Sequence, residues 1–288
     1  MDWKRAKTIL IIMLLMINSF LAYQLIAANK NQNKYISKQE LESVQNYIES
    51  KNIKLEVDIP DRATIIPSLK VRYNQFEIER VKQMFFKDKD IKFTILDDGY
   101  SVINGDISVE VKNNIHFHYK DEAIKIKQGE VNKEKCLINA DMFIKSLKLD
   151  ISNKYIKLQE VENGYVRIIL GQQYKNIPVD SSQIEIIVTE EGVSEANINW
   201  FEWIKPDKSY NITTPVVALL KAYEDKKEGS EAVTVKQIRQ GYYFNIDGQK
   251  DAQGNMLVEG TVSPMWVIVS DKNQTYINAY NEKIEKVQ

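Results

Sequence analysis

The chain has 288 residues, a formal net charge of −1 and 27% charged residues. A nucleic-acid-binding surface displaces counterions from phosphates with a surplus of Lys and Arg, and 39 basic against 40 acidic residues leave no such surplus. Cys136 is the single cysteine, which excludes an intrachain disulfide and leaves stability to packing.

Thr8 to Asn29 is an uninterrupted run of 22 uncharged residues, and no later stretch compares with it. At about 1.5 Å of rise per residue, one helix of that length crosses a hydrocarbon core of roughly 30 Å. A cleaved signal peptide and a permanent anchor compete for the run. A signal peptide ends its shorter apolar segment at a small-x-small site. Cleavage after Ala22, Ala27 or Ala28 would put Phe20, Leu25 or Ile26 three residues before the cut, so the anchor is favoured. No cysteine near the end of the run offers a lipoprotein site. Lys4, Arg5 and Lys7 in front tie in number with Lys30, Lys34 and Lys38 behind. The tighter front cluster favours residues 1–7 as a cytoplasmic tail, 8–29 as the transmembrane helix and the body outside. Trp3 and Tyr23 stand near the two ends of the span, where aromatic belts form. Ile11, Leu14, Asn18, Leu21 and Leu25 recur at spacings of 3 and 4 and so share one helix face, which makes them the candidate partner contact. Aliphatic residues also fill the other faces, so Asn18 alone distinguishes this seam. An amide near mid-membrane gains from a polar group on a neighbouring helix, although a lone anchor also tolerates one.

The roughly 250 residues of the body suffice for a substantial core in one or two domains. Asn29–Tyr35 is a polar connector, and Ser37 with Glu40 has the form of a capping box. Leu41, Val44 and Ile48 continue a juxtamembrane helix, so that residues 30–52 form connector and helix. Ile53, Leu55, Val57 and Ile59 alternate as a strand that stops at Pro60. Asn74 and Glu77 mark the start of a helix carrying Ile78, Val81 and Phe85. Strands over Ile91–Leu96, Tyr100–Ile103, Ile107–Val111 and Ile115–Tyr119 are separated by Asp98-Gly99, Asn104-Gly105 and Asn113-Asn114, dipeptides suited to tight hairpins. The order then recurs. Leu137, Ala140, Ile144 and Leu147 mark a helix, and strands follow at Tyr155–Val161, Tyr165–Leu170, Gln183–Val188 and Ser194–Ile204. Thr214-Pro215 opens a helix with proline at its first position. Strands return over Val233–Ile246 and Val258–Val269 and end near Tyr276–Tyr280. The fold class is α+β: an N-terminal transmembrane helix followed by two extracellular lobes of antiparallel sheet with packed helices. The lobes divide at the polar stretch Gly129–Lys133, giving 53–131 and 132–288.

No constellation speaks for an enzyme. Glycine-rich phosphate loops, H-E-x-x-H, C-x-x-C, G-x-S-x-G and S-x-x-K are all absent. His116 and His118, the only histidines, share one strand face opposite Ile115, Phe117 and Tyr119, and two ligands do not make a metal site. Asp97-Asp98 and Glu190-Glu191 precede turn glycines and read as turn chemistry rather than a glycosidase pair. Cys136 at a helix start reads as a small packing residue. The expectation is therefore no catalytic residue, no metal and no cofactor. Asn199-Trp200-Phe201-Glu202-Trp203 is the densest aromatic cluster. Core packing accounts for it first, and Trp200, Phe201 and Trp203 are the candidate extracellular interface if it is not core.

The N-terminus Met1-Asp2-Trp3-Lys4-Arg5-Ala6-Lys7-Thr8-Ile9, with Ile17-Asn18-Ser19-Phe20-Leu21-Ala22-Tyr23-Gln24-Leu25 in the span, resembles the start of YycI (WalI) proteins. These are accessory regulators of the YycG/WalK sensor histidine kinase, which controls cell-wall metabolism in Gram-positive bacteria. The resemblance implies a single-pass protein with its body outside the cell. It further implies contact with the kinase through the transmembrane helix, beside a YycH-like partner. A homo-oligomer is compatible with the same reading, and the sign of regulation is open. The rival readings are an extracellular binding module for a cell-wall polymer or a protease, and an unrecognised hydrolase.

Overall fold

The computed structural model describes residues 3–30, 36–86, 91–227, 229–245 and 257–288; within 3–30 it describes the side chains of residues 3, 7 and 10–24. In chain order the elements begin with α1 (Trp3–Lys30), α2 (Lys38–Ser50), β1 (Ile53–Leu55), β2 (Leu69–Tyr73) and α3 (Ile78–Val81), which continues as a π-helical turn over Lys82–Phe86. Next come β3 (Lys92–Leu96), β4 (Gly99–Asn104), β5 (Ile107–Lys112), β6 (His116–Asp121) and α4 (Lys133–Ser146). They are followed by β7 (Lys154–Glu162), β8 (Tyr165–Tyr174), β9 (Ile177–Val188), β10 (Val193–Asn199) and β11 (Phe201–Pro206). The chain closes with α5 (Pro215–Ala222), β12 (Val233–Tyr242), β13 (Glu259–Val262), β14 (Pro264–Ser270), β15 (Gln274–Asn278) and β16 (Ile284–Val287). These form two compact units: Met1–Ile66 with Ser209–Arg239 and Ile268–Gln288, and Pro67–Lys208 with Gln240–Val267.

The larger unit is built from two antiparallel meanders, β3–β6 and β7–β10, each preceded by a helical segment. Their last strands, β6 and β10, pair antiparallel, so the sheet runs β7-β8-β9-β10-β6-β5-β4-β3. Alternation along the strands sends one set of side chains inward. Val109 and Val111 of β5, Phe117 of β6 and Ala196 and Ile198 of β10 share a core with Cys136, Ala140 and Ile144 of α4. The ring of Phe85, from the π-helical turn, lies 5.6 Å from Phe117 and 5.3 Å from Tyr119, centroid to centroid. Phe143 of α4 closes on Tyr119 at 4.9 Å. Asn132 caps α4, its side chain accepting from the Lys135 amide at 3.1 Å. Asn74, expected as a cap, instead accepts a bond from the Arg80 guanidinium at 3.1 Å, and Glu77, at the N-cap position of α3, makes no side-chain capping bond.

The turns show what fixes the registers. A Cβ at Gly99 would fall 1.8 Å from the carbonyl oxygen of Val111, so glycine is what lets β4 and β5 approach. Asn113 and Asn114 (φ 51° and 59°) lie in the β5–β6 connection, as their left-handed tolerance predicts. The β8–β9 hairpin was not foreseen. Lys175 and Asn176 both adopt positive φ (49° and 67°), the two-residue reversal that matches strand twist. Lysine gives no sign of such a turn, and so β8 runs on to Tyr174 and β9 begins at Ile177 rather than at Gln183.

The single strand expected over Ser194–Ile204 is two strands in different sheets, broken at Trp200. β10 stays in the sheet with β9 and β6, while β11 joins a three-stranded antiparallel sheet in the order β11-β2-β13. The break is held by a buried side-chain amide. Gln172 Nε2 donates to the Phe201 carbonyl at 3.0 Å, and the Phe201 amide donates to Gln172 Oε1 at 2.9 Å. The Ser182 hydroxyl donates to the same oxygen at 2.5 Å. Gln172 therefore serves Phe201 as a neighbouring strand would. Gln172→Leu removes these partners, and each buried polar group left unpaired costs roughly 1–3 kcal/mol. A loss of about 2–4 kcal/mol in unfolding free energy is expected, read from the urea midpoint. An unchanged midpoint would show that the network contributes nothing.

In the smaller unit β1 runs parallel to β12, and the sheet continues β12-β14-β15-β16. α2 packs on β1 and α5, and α5 packs on β15. Ser37 Oγ accepts from the Glu40 amide at 3.2 Å and Thr214 Oγ1 from the Val217 amide at 3.4 Å, so both caps form as the sequence indicates. Val44 and Ile48 of α2, and Val216 and Leu219 of α5, are buried. β1 is shorter than expected, ending at Leu55 rather than Ile59, and β16 was not expected at all. The run Val258–Val269 divides between two strands, β13 and β14. The connector residues 31–35 and Ile246 lie outside the described residues.

The expected division at Gly129–Lys133 is corrected by strand pairing. β6, before that stretch, is hydrogen-bonded to β10, after it, which places both inside the larger unit. Residues 53–66 belong instead with the smaller unit.

Candidate functional site

The candidate contact element is α1, 28 residues and about 42 Å long at ~1.5 Å per residue. Ile11, Leu14 and Leu21 are 58%, 59% and 54% exposed, and Leu10, Leu15 and Phe20 on other faces are equally bare. Asn18 falls in line with Ile11, Leu14 and Leu21 and is exposed like them, whereas the side chain of Leu25 lies outside the described residues. A helix apolar all round is stable only when other apolar matter covers it, since water gains nothing by touching it. Trp3 and Lys7 hold the front of the helix, with the ammonium 5.6 Å from the indole ring centroid. Among the described residues no helix is long and apolar enough to cross a membrane. The continuous run of described side chains on α1 is residues 10–24, shorter than the roughly 20 residues that a crossing needs.

The aromatic candidates separate. Trp200 and Phe201 are fully buried, and the Trp200 indole N–H donates to the Asp150 carbonyl at 2.8 Å. Phe201 stacks on Tyr73 with centroids 4.3 Å apart. Neither can contact a partner from the folded state, which corrects their place as candidate interface residues. The break at Trp200 turns β11 into the second sheet, and both rings are taken into the core there. Trp203 alone remains half-buried, under the ammonium of Lys205 at 4.7 Å.

His118 Nε2 approaches Glu195 Oε1 at 3.3 Å, and the imidazole is 44% exposed. Among the described residues no group of three His, Cys, Asp or Glu side chains could hold a metal. Burial, followed by the charge of Glu190, pushes the Cys136 thiol above its ordinary range, the reverse of what a thiolate nucleophile needs. The Glu190 and Glu191 carboxylates tie their turn to the segment before α4. Glu190 Oε1 accepts from the Asn132 amide at 2.8 Å, and Glu191 meets Lys127 at 2.5 Å. Sequence reasoning missed the shallow groove between α2 and α5, lined by Val44, Tyr47, Val217 and Leu220. Its only signal was Tyr47, an aromatic placed among polar positions of α2 and 47% exposed.

A model of the family described as "YycI protein" matches residues 30–280. The chain belongs to the YycI family. The match begins where α1 ends, so it rests on the body and does not include Met1–Ile9 or Ile17–Leu25. Comparison with curated proteins gives no match. Among solved structures, this YycI chain is similar to the Bacillus megaterium YpeB C-terminal domain, with 9% identity and a TM-score of 0.35 over 75% of this chain and 98% of that one.

Proposed function

We propose that the protein is a non-enzymatic, membrane-anchored regulator of a YycG/WalK-type sensor histidine kinase. YycI is a regulatory family associated with that kinase system, and membership is the warrant for the partner. The observation that carries the mode of action is α1, whose described apolar side chains are bare on every face. On this reading residues 1–7 are cytoplasmic, residues 8–29 span the bilayer and the body is extracellular beside a YycH-like partner. The face Ile11, Leu14, Asn18, Leu21 and Leu25 meets the kinase's transmembrane helices. α2 begins at Lys38, close in sequence to the end of α1 at Lys30, so the tether between body and anchor is short.

The test is in-membrane photo-cross-linking from a probe placed on that face, at Leu14, and from one on another face, at Ile12, with the captured protein identified by mass spectrometry. Capture of the sensor kinase from Leu14 and little from Ile12 is expected. Equal capture from both, or none of the kinase from either, would sink the proposed contact. A second outcome follows for topology. Protease added to intact cells should digest the body and leave only a membrane fragment of a few kilodaltons. Full protection of the body, or its release with a new N-terminus near residue 28, contradicts the anchor.

A further inference from the structure

Asn-Gly occurs twice in the chain, at Asn104-Gly105 and Asn163-Gly164, and both pairs stand at hairpin reversals, β4–β5 and β7–β8. The dipeptide carries a chemistry of its own. The glycine amide nitrogen can close on the asparagine side-chain carbonyl carbon, because the residue that supplies it has no Cβ to obstruct the approach. The two reversals differ in what the fold does to that closure. At Asn163-Gly164 it is opposed. Asn163 Oδ1 accepts from the Gly129 amide at 2.7 Å, which fixes the side chain. Gly164 is buried, and a Cβ there would stand 2.2 Å from the Lys127 carbonyl oxygen, so its main chain has little room to turn.

At Asn104-Gly105 the reversal is open. The β4–β5 ladder ends at the pair Asn104–Ile107, and the Gly105 amide lies beyond it. Gly105 and Asp106 are both exposed, and a Cβ on Gly105 would meet nothing within 4 Å. Glycine is there for its positive φ of 57°, which a two-residue hairpin asks of its first position. We infer that Asn104 is a site of spontaneous deamidation, while the fold holds Asn163 against the same reaction. The Gly105 nitrogen gives up its proton and bonds to Asn104 Cγ. The Cγ–Nδ2 bond breaks, and the side-chain nitrogen leaves with that proton as ammonia. Solvent water at the exposed tip then adds to either carbonyl carbon of the cyclic imide, and the ring opens to aspartate or to isoaspartate. Asparagine and water have become acid and ammonia, with no change of oxidation state. The new carboxylate arrives next to Asp106, whose carbonyl accepts from the Glu122 amide at 2.8 Å, and near Asp121, the strand partner of Ile107. Like charges gather there, and isoaspartate also routes the main chain through Cβ, so conversion loosens the hold of the tip on the end of β6.

The test ages the full-length protein in liposomes at mildly alkaline pH, folded and in parallel in concentrated urea. Mass spectrometry follows the tryptic peptides 93–112 and 158–167, which carry one Asn-Gly each. In the folded protein Asn104 should convert about tenfold faster than Asn163, whereas in urea, where neither reversal persists, the two should convert at similar rates. Electron-transfer fragmentation of aged peptide 93–112 should reveal isoaspartate beside aspartate, the mark of the cyclic imide. Folded Asn104 staying intact while urea converts it would overturn the assignment. So would Asn163 keeping pace with Asn104, a difference that persists in urea, or aspartate as the sole product. Hydrogen exchange at the Glu122 amide should quicken in the aged protein, and unchanged exchange would overturn the loosening of the tip.

Discussion

Trp200→Ala is expected to lower the unfolding free energy by about 3–5 kcal/mol, the range for removing a fully buried Trp or Phe side chain from a core. Trp200 shares its core with Phe76, Phe117 and Leu147, and its indole N–H satisfies the Asp150 carbonyl. Truncation leaves both a cavity and an unpaired acceptor, two costs that add. Trp203→Ala, on the same aromatic run but half-buried, should cost about 1 kcal/mol or less. Urea unfolding of the two variants, followed by far-ultraviolet circular dichroism, makes the comparison. Trp200→Ala unfolding at the parent midpoint would show that the indole contributes nothing to the core. Partner capture by Trp203→Ala then becomes the informative measurement, since Trp203 is the only one of the three candidates left with exposed surface.

Asn18→Leu should weaken capture of the sensor kinase by roughly three- to thirtyfold. Interhelical hydrogen bonds in membranes contribute about 0.6 kcal/mol on average and roughly 1–2 kcal/mol in model peptides, and about 1.4 kcal/mol is a factor of ten. The substitution keeps the size and the helix and removes only the amide. Export and folding of the body should be unchanged, because Asn18 lies on α1, whose described side chains are exposed. Ile12→Leu is the matched control and should change neither capture nor kinase output. The measurement is cross-linking yield with a kinase reporter at equal protein level. If both variants behave as the parent, the contact lies elsewhere on α1 or in the body.

Much of the architecture was legible because local chemistry decides it. Ser37 and Thr214 cap their helices through their own side chains. Asn113-Asn114 marks a turn because asparagine tolerates a left-handed backbone. What was illegible depends on partners distant in the chain. Nothing near Trp200 announces a strand break, since the group responsible is Gln172, a residue that reads as an ordinary polar position on a strand. The unit boundary failed for the same reason, because β6 and β10 meet across α4 and three strands. Of the candidate contact residues, those on α1 share a face by spacing, and the exposure of α1 on every side does not single that face out. The fate of Trp200 and Phe201 required knowing which sheet each strand joins.

The seam between β6 and β10 has a further consequence, for the order in which the chain can assemble. Within each meander every pairing joins strands adjacent in sequence, and such hairpins close in roughly 1–10 μs. Phe117 must find Ile198 and Tyr119 must find Ala196, and that long loop is closed only after both meanders exist. Topology thus makes the seam the slow step. Until it forms, β6 offers an open strand edge, while the second half of the sheet has still to arrive. A chain that emerges from its N-terminus onward meets this interval every time it is made. The interval between completion of β6 and completion of β10 is when its own edges are open to the wrong strand.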